Sequence, residues 1–304
     1  MKEFKTGKPN NAIRKSELEM PKSLQDWTER YKKRQEEFPD SSNEVSFEFI
    51  AAPLINLISD MHIGHPSTNY KRIEDEINAI SETDNSFVIF AGDLINNMVW
   101  NPGQMEEMEQ TPEQVGFLRS IFNHLTDKDK LLHSLQGDHD GWLKRSGMDV
   151  QTELPEKGVS VSNGPTYFHM DVGDKHYDMG GAHQLPGHSI YNVNHPQMRS
   201  VRFGAMHGAD VVFSGHNHKK GVAKAYQHEL GEPKETTYVA LGPYKSKDDW
   251  LAKKGWAEQK PEEMFGVSVF LNKDVKEVET DLDIVRANKR MTEEKPSLLK
   301  KLFG

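Results

Sequence analysis

Between Asp60 and His218 five short clusters of histidine and aspartate recur, each set beside a run that reads as a buried β-strand. They are Asp60-Met61-His62, Gly92-Asp93, Gly137-Asp138-His139-Asp140, the single His183, and Gly215-His216-Asn217-His218. Leu54-Ile55-Asn56-Leu57-Ile58 precedes the first and Phe87-Val88-Ile89-Phe90-Ala91 the second. Short apolar runs of this kind fit strands covered on both faces. An amphipathic helix is predicted over 71–82 and a further helix over 112–126, and the strand Leu131–Leu135 leads to the third cluster. Further strands are predicted at 166–172, 176–180, 210–214, 236–241, 265–272 and 275–283. A βα alternation that turns strand-rich implies two packed sheets with helices outside. Residues at the strand ends then converge on one rim, the usual place for a site in an α/β fold.

Neutral imidazoles and carboxylates bind divalent metals of the Mn, Fe and Zn type. Asp60, His62, Asp93, Asp138, His183, His216 and His218 suffice for two ions sharing one carboxylate. That arrangement hydrolyses phosphate esters. The chain has no cysteine, which excludes disulfides, thiolate zinc sites and a cysteine nucleophile.

In this order the clusters resemble the DxH, GDxx, GNH(D/E), lone His and GHxH signature of the calcineurin-like metallophosphoesterase superfamily. The resemblance spans about residues 54–243. It implies a four-layer α-β-β-α sandwich of two mixed β-sheets with flanking helices. Asp60, His62, Asp93 and His218 would hold one metal, with Asp93 bridging; Asp138, His183 and His216 would complete the other. His139 would stabilise developing charge and protonate the leaving oxygen, with Asp140 orienting it. Two divalent ions are implied, Mn²⁺ first, with Fe, Zn or Mg as alternatives. The third cluster departs from the signature: Asp138 stands where the family has Asn. The added charge should lower the Lewis acidity of that metal, giving a retuned or slow enzyme.

Asn96 and Asn97 replace the Asp-Arg-Gly that follows the second cluster in protein Ser/Thr phosphatases, so a phosphate-clamping Arg is missing there. The first motif, Asp-Met-His-Ile-Gly, is close to that of SbcD-like repair nucleases. Both features favour a nuclease or phosphodiesterase over a protein phosphatase. Cyclic nucleotides, nucleotides and phosphomonoesters are the alternative substrates, and a catalytically weak adaptor is a third reading. His65, Asn96 and His188 are the candidate substrate contacts.

The chain carries a net charge of −9. Residues 1–34 hold ten Lys/Arg against five acids and residues 286–304 hold six against two, so basic ends flank an acidic middle. Bound cations would offset part of that deficit, and the basic ends point to nucleic acid as partner. Three parts follow: a basic, partly helical extension (1–45), a catalytic domain (46–285) and a basic tail (286–304). In the extension, Ser23 is placed as the N-cap of a charged helix running to about Glu37. In the tail a polar linker, Asn288–Lys295, leads to a short helix after Pro296. Leu298, Leu299, Leu302 and Phe303 share its apolar face, which resembles the C-terminal peptides by which some phage and bacterial replication proteins dock on sliding clamps. A sliding clamp or another protein is the partner expected through residues 296–304, with intramolecular docking or a chance pattern as the alternatives. A cytoplasmic protein, or one of the host cytoplasm if phage-encoded, with no membrane partner is expected.

Overall fold

A computed structural model describes residues 23–37, 43–98, 107–143, 160–227, 233–247, 252–255 and 257–303. In chain order come helix α1 (Leu24–Glu37), strands β1 (Asn43–Phe49) and β2 (Leu54–Ile58), helix α2 (Tyr70–Glu82) and strand β3 (Ser86–Ala91). Helix α3 (Thr111–Thr126), strand β4 (Leu131–Leu135), the short helix α4 (Asp138–Trp142) and strands β5 (Ser160–Ser162), β6 (Thr166–Val172) and β7 (Lys175–Ala182) follow. The remainder is helix α5 (His195–Phe203), strands β8 (Val211–Ser214), β9 (Gly221–Gln227), β10 (Lys234–Ala240), β11 (Val267–Leu271) and β12 (Val278–Asp281), and helix α6 (Ile284–Phe303).

The strands form two mixed six-stranded sheets, ordered β1-β6-β7-β8-β10-β9 and β12-β11-β2-β3-β4-β5. In the second sheet β2 to β5 run parallel, with β11 antiparallel to β2. The layering follows from the two-residue period of a strand. Ile55, Leu57, Ile89 and Ala91 face Phe168, Met170, Val211 and Phe213 across the gap between the sheets. Their neighbours Ile58, Val88 and Phe90 point the other way, onto Ile73, Ile77 and Ile80 of α2 and Leu118, Ile121 and Phe122 of α3. On the far side Val212 packs with Val201 of α5, Met206 and Tyr238. Helix, sheet, sheet and helix thus stack in four layers, as expected. Each fully buried Leu, Ile or Phe contributes roughly 1.5–3 kcal/mol through apolar burial.

Contacts divide the chain into Met1–Ser41 and Ser42–Gly304. In the first unit Ser23 caps α1 as expected: its Oγ accepts from Asp26 N–H (3.1 Å), and Asp26 Oδ2 accepts from Ser23 N–H (3.0 Å). In the second unit Asn288, read from sequence as the start of a linker, is 1% exposed inside α6. Its amide donates to Asn56 Oδ1 (3.2 Å), and Asn56 in turn donates to Ser86 Oγ and the Phe87 carbonyl. This satisfied polar cluster ties α6 to β2 and β3, so the helix begins in the domain rather than after a linker. Side chains from Glu294 onward, including the predicted docking face, lie outside the described residues, as do residues 1–22. Among the described residues no helix is long and apolar enough to cross a membrane.

Candidate metal centre

All five clusters sit at the carboxyl ends of strands that run the same way within their sheets. Asp60 and His62 follow β2, Asp93 follows β3, Asp138 to Asp140 follow β4, His183 follows β7, and His216 and His218 follow β8. The loops are stitched to one another by backbone groups. Asp60 N–H donates to the Gly92 carbonyl (2.9 Å), His62 N–H to Asp93 (3.1 Å) and Gly215 N–H to His183 (3.0 Å). Two carboxylates extend the stitching: Asp60 accepts from His216 N–H (3.0 and 3.2 Å), and Asp93 Oδ1 from His139 N–H (2.9 Å).

Crowding dictates the glycines. A Cβ on Gly215 would lie 2.0 Å from Ser59 Oγ and 2.3 Å from Asp60 Oδ2. Gly92 has φ +88°, and a Cβ there would lie 2.8 Å from His183 Nδ1. Five of the candidate ligands themselves adopt left-handed backbone: Asp60 (φ 53°), His62 (46°), Asp93 (52°), His216 (67°) and His218 (51°). A non-glycine residue held there costs of order 1 kcal/mol or more, and such strain collects at functional sites.

The side chains converge in two groups, Asp60/His62/His218 and Asp93/His183/His216, each with its ligand atoms within 4.8 Å of one another. In the first, His218 Nε2 lies 3.2 Å from Asp60 Oδ1 and 3.1 Å from His62 Nε2. In the second, His183 Nε2 lies 3.1 Å from Asp93 Oδ2. His139 bridges them: its Nε2 is 4.0 Å from Asp93 Oδ2 and its ring centroid 4.8 Å from that of His62.

These donors fit a cation. His183 Nδ1 pairs with the Ala91 carbonyl at 2.8 Å. A neutral ring that donates there leaves a lone pair on Nε2, and that buried atom makes no hydrogen bond. Burial opposes a charge on His183, but Asp93 overrides it and pushes the pKa up to about 10. The site therefore wants positive charge at Nε2, and an ion can supply it in place of a proton. Burial, reinforced by Lys245, His139 and His218, holds His62 well below the usual histidine value, leaving it neutral and able to ligate. Asp60 and Asp93 are lowered despite burial, Asp60 chiefly by His218 and Asp93 by His183, so both are carboxylates.

The family model of calcineurin-like phosphoesterases (Metallophos) matches residues 54–220. The chain belongs to this family. Its domain is therefore that of a metal-dependent phosphoesterase. Among solved structures the chain is similar to Vps29 from Cryptosporidium parvum, at 16% identity over 76% of this chain and 96% of that one, with TM-score 0.37. It is also similar to nuclease MPE from Pseudomonas putida (13%; 75% and 87%; TM-score 0.33). A third is a putative 5'-nucleotidase from Staphylococcus aureus (14%; 80% and 58%; TM-score 0.35). These likenesses are too distant to bear on substrate. No curated protein sequence matches the chain.

The other residues singled out from sequence lie outside these two ligand groups. Asp138 is not within either ligand group; its half-exposed carboxylate reaches His216 Nδ1 at 3.4 Å. The Asp140 carboxylate meets backbone amides. It accepts from Gly137 N–H (3.0 Å), Leu94 N–H (3.0 Å) and Ile95 N–H (3.3 Å), so it fixes two loops. Burial and then the Asp93 charge raise its pKa to about 7. The His139 ring is held instead through Nδ1 by the Asn96 carbonyl, and Trp142 packs on it at 4.3 Å between centroids. Asn96 is buried, donates to Glu107 (3.0 Å) and leaves Oδ1 without a hydrogen bond. His65 is buried with Nδ1 accepting from Ser67 N–H (3.1 Å), while His188 is exposed in the loop after His183. Sequence reasoning missed Lys245, which is 6% exposed just after β10 and whose charge acts on His62 and His139. The signal available was Gly242-Pro243-Tyr244-Lys245, a polar strand end on the same rim.

Proposed function

We propose that this phosphoesterase hydrolyses phosphodiester bonds in nucleic acid, using two divalent ions with Mn²⁺ the first choice. Asp60, His62 and His218 would hold one ion, and Asp93, His183 and His216 the other, with Asp138 at its edge. When bound, such ions polarise the phosphoryl group and make a water-derived nucleophile available at neutral pH. The chain's own part in the proton transfer falls to His139. Asn96 holds its Nδ1 side, so Nε2 is the atom that faces Asp93 and passes a proton to the leaving oxygen. Burial, against the opposing pull of Asp93, keeps the His139 pKa below the usual histidine value, so a proton on Nε2 is given up readily.

The observation that carries the choice of substrate is the segment after His183. From His183 to Ala209 there is no Asp or Glu, in a chain that has 47 of them among 304 residues. Tyr191 (93%) and Phe203 (72%) stand exposed there. The Arg199 and Arg202 guanidinium carbons lie 5.8 and 5.2 Å from the Phe203 ring centroid. Exposed rings beside guanidinium groups, with no acid to repel phosphate, suit a single strand of nucleic acid.

The test is Mn²⁺-supported turnover of bis-p-nitrophenyl phosphate, p-nitrophenyl phosphate and labelled single- and double-stranded DNA. Cleavage of the diester and of DNA, with a raised KM for DNA alone in Tyr191→Ala and Arg202→Ala, is the expected result. Turnover of monoesters or nucleotides without DNA cleavage would replace this reading by a small-molecule enzyme. Asp138 supports a second reading, an adaptor with a weakened site. No turnover with two ions bound would favour it.

A further inference from the structure

We propose a second, separate transition-metal site on the outer face of the first sheet, where His169, His176 and Asp178 ligate a Zn²⁺-like ion and Asp171 positions His176. The four residues lie on the β6–β7 hairpin, where His169 pairs across the ladder with Asp178 and Asp171 with His176. Alternation sends Phe168, Met170, Tyr177 and Met179 into the inter-sheet core and leaves these four side chains together on the opposite face. They stand on paired strands rather than a loop, which fixes their spacing.

Two imidazole nitrogens converge on one carboxylate oxygen. His169 Nδ1 is 2.8 Å, and His176 Nε2 3.0 Å, from Asp178 Oδ1. The other nitrogen of His176, Nδ1, is 2.7 Å from Asp171 Oδ1. A neutral His176 that donates its one N–H to Asp171 turns the Nε2 lone pair toward the Asp178 carboxylate. That contact is repulsive unless a cation lies between. A carboxylate behind an imidazole whose far nitrogen meets a cation is the usual outer shell of a metal-bound histidine. Ligands about 2.0–2.1 Å from a tetrahedral Zn²⁺ stand roughly 3.3 Å apart, so each nitrogen need move only a few tenths of an ångström from Asp178 Oδ1. Two imidazoles and a carboxylate match zinc better than magnesium or calcium. The His169 and His176 side chains are 32% and 51% exposed, leaving an entry path and room for a water ligand.

This site is distinct from the metal centre. Asp178 lies on β7 and His183 follows its end, five residues on and roughly 16 Å away along the strand direction, and no residue is shared. The competing occupant is a proton, which would make His176 an imidazolium between Asp171 and Asp178.

Full-length protein, stripped with EDTA and equilibrated at pH 7.5 with buffered free Zn²⁺, is assayed for bound zinc by mass spectrometry beside its His169→Ala/His176→Ala variant. Wild type should hold one more equivalent than the variant, and bis-p-nitrophenyl phosphate turnover with Mn²⁺ should be equal in both. Asp171→Asn, which keeps all three ligands, should weaken that extra equivalent 10- to 100-fold. Circular dichroism checks that the variants are folded. Equal zinc content in wild type and the double variant at saturating zinc would overturn the site and leave a proton on His176.

Discussion

Replacing His133 by glutamine should remove a defined part of the acid sensitivity of this fold. His133 lies on β4 with 1% exposure, its ring edge against Phe168 at 5.1 Å between centroids. Nε2 pairs with Ser162 Oγ at 2.7 Å, while Nδ1 is buried without a hydrogen bond. Burial alone pushes its pKa down to about 4 from the ordinary 6.5. The folded state therefore keeps His133 neutral at pH values where the unfolded chain protonates it. The stability it supports is fully present above pH 6.5 and is lost as pH falls from 6.5 toward 4. A depression of that size corresponds to about 3 kcal/mol across the window, a large fraction of the net stability of a domain. Urea unfolding of wild type and His133→Gln, followed by circular dichroism at several pH values from 7.5 to 4, measures it. The active-site carboxylates titrate in both proteins, so their contribution cancels in the difference. The stability gap between the two should shift by about 3 kcal/mol in favour of the variant as pH drops through the window. Parallel stability curves would refute the reasoning, because a histidine charged equally in both states contributes no slope.

Three further outcomes follow from the site. His139→Ala should lower diester turnover by at least ~100-fold while metal content stays at the wild-type level; loss of metal would show that His139 is a ligand instead. Gly215→Ala forces a methyl to 2.0 Å from Ser59 Oγ. It should cost about 1–3 kcal/mol in thermal stability and displace Asp60, with loss of an ion; unchanged metal content would contradict the crowding seen here. Asp138→Asn removes a half-exposed negative charge beside His216 and should change rate and metal preference several-fold, so an identical metal profile would show that Asp138 does not tune the site.

The two sheets were legible wherever a strand is buried on both faces. Leu54–Ile58 and Val211–Ser214 are buried throughout, and Ser86–Ala91 is buried except at Phe87, which is half-buried. Strand β9 was not legible, because it pairs along one side only, with β10, and its residues are mostly half-exposed. A sequence such as Val222-Ala-Lys-Ala-Tyr-Gln then shows no apolar run. Helix α5 was hidden for a different reason: its first residues, His195-Pro196, read as loop, although Pro is well suited to the first turn of a helix. Helix α6 was misread because its buried anchor is Asn288, a polar residue satisfied by another buried asparagine. Hydrophobic periodicity cannot register a polar contact of that kind.

The site divides along the same line. The candidate ligands announce themselves by residue type, since few side chains other than His and Asp present such donors, and their spacing needs only that strands end where they do. The supporting residues carry no such mark. The family resemblance implied that Asp140, next to His139 in sequence, orients its ring. In a helical turn, however, neighbouring side chains diverge, and Asp140 instead meets the backbone amides of Gly137, Leu94 and Ile95. The grip on His139 comes from a carbonyl, that of Asn96, which every residue type could have supplied. The left-handed backbone at Asp60, His62, Asp93, His216 and His218 is likewise invisible in composition, because Asp and His do not require a positive φ as a turn glycine does. That the loops hold them there, through the Asp60–His216 and Asp93–His139 bonds, means the carboxylates place backbone as well as offer ligands. Asp60→Ala should therefore lose stability even in metal-free protein, whereas a purely ligating aspartate would be missed only when the ion is present.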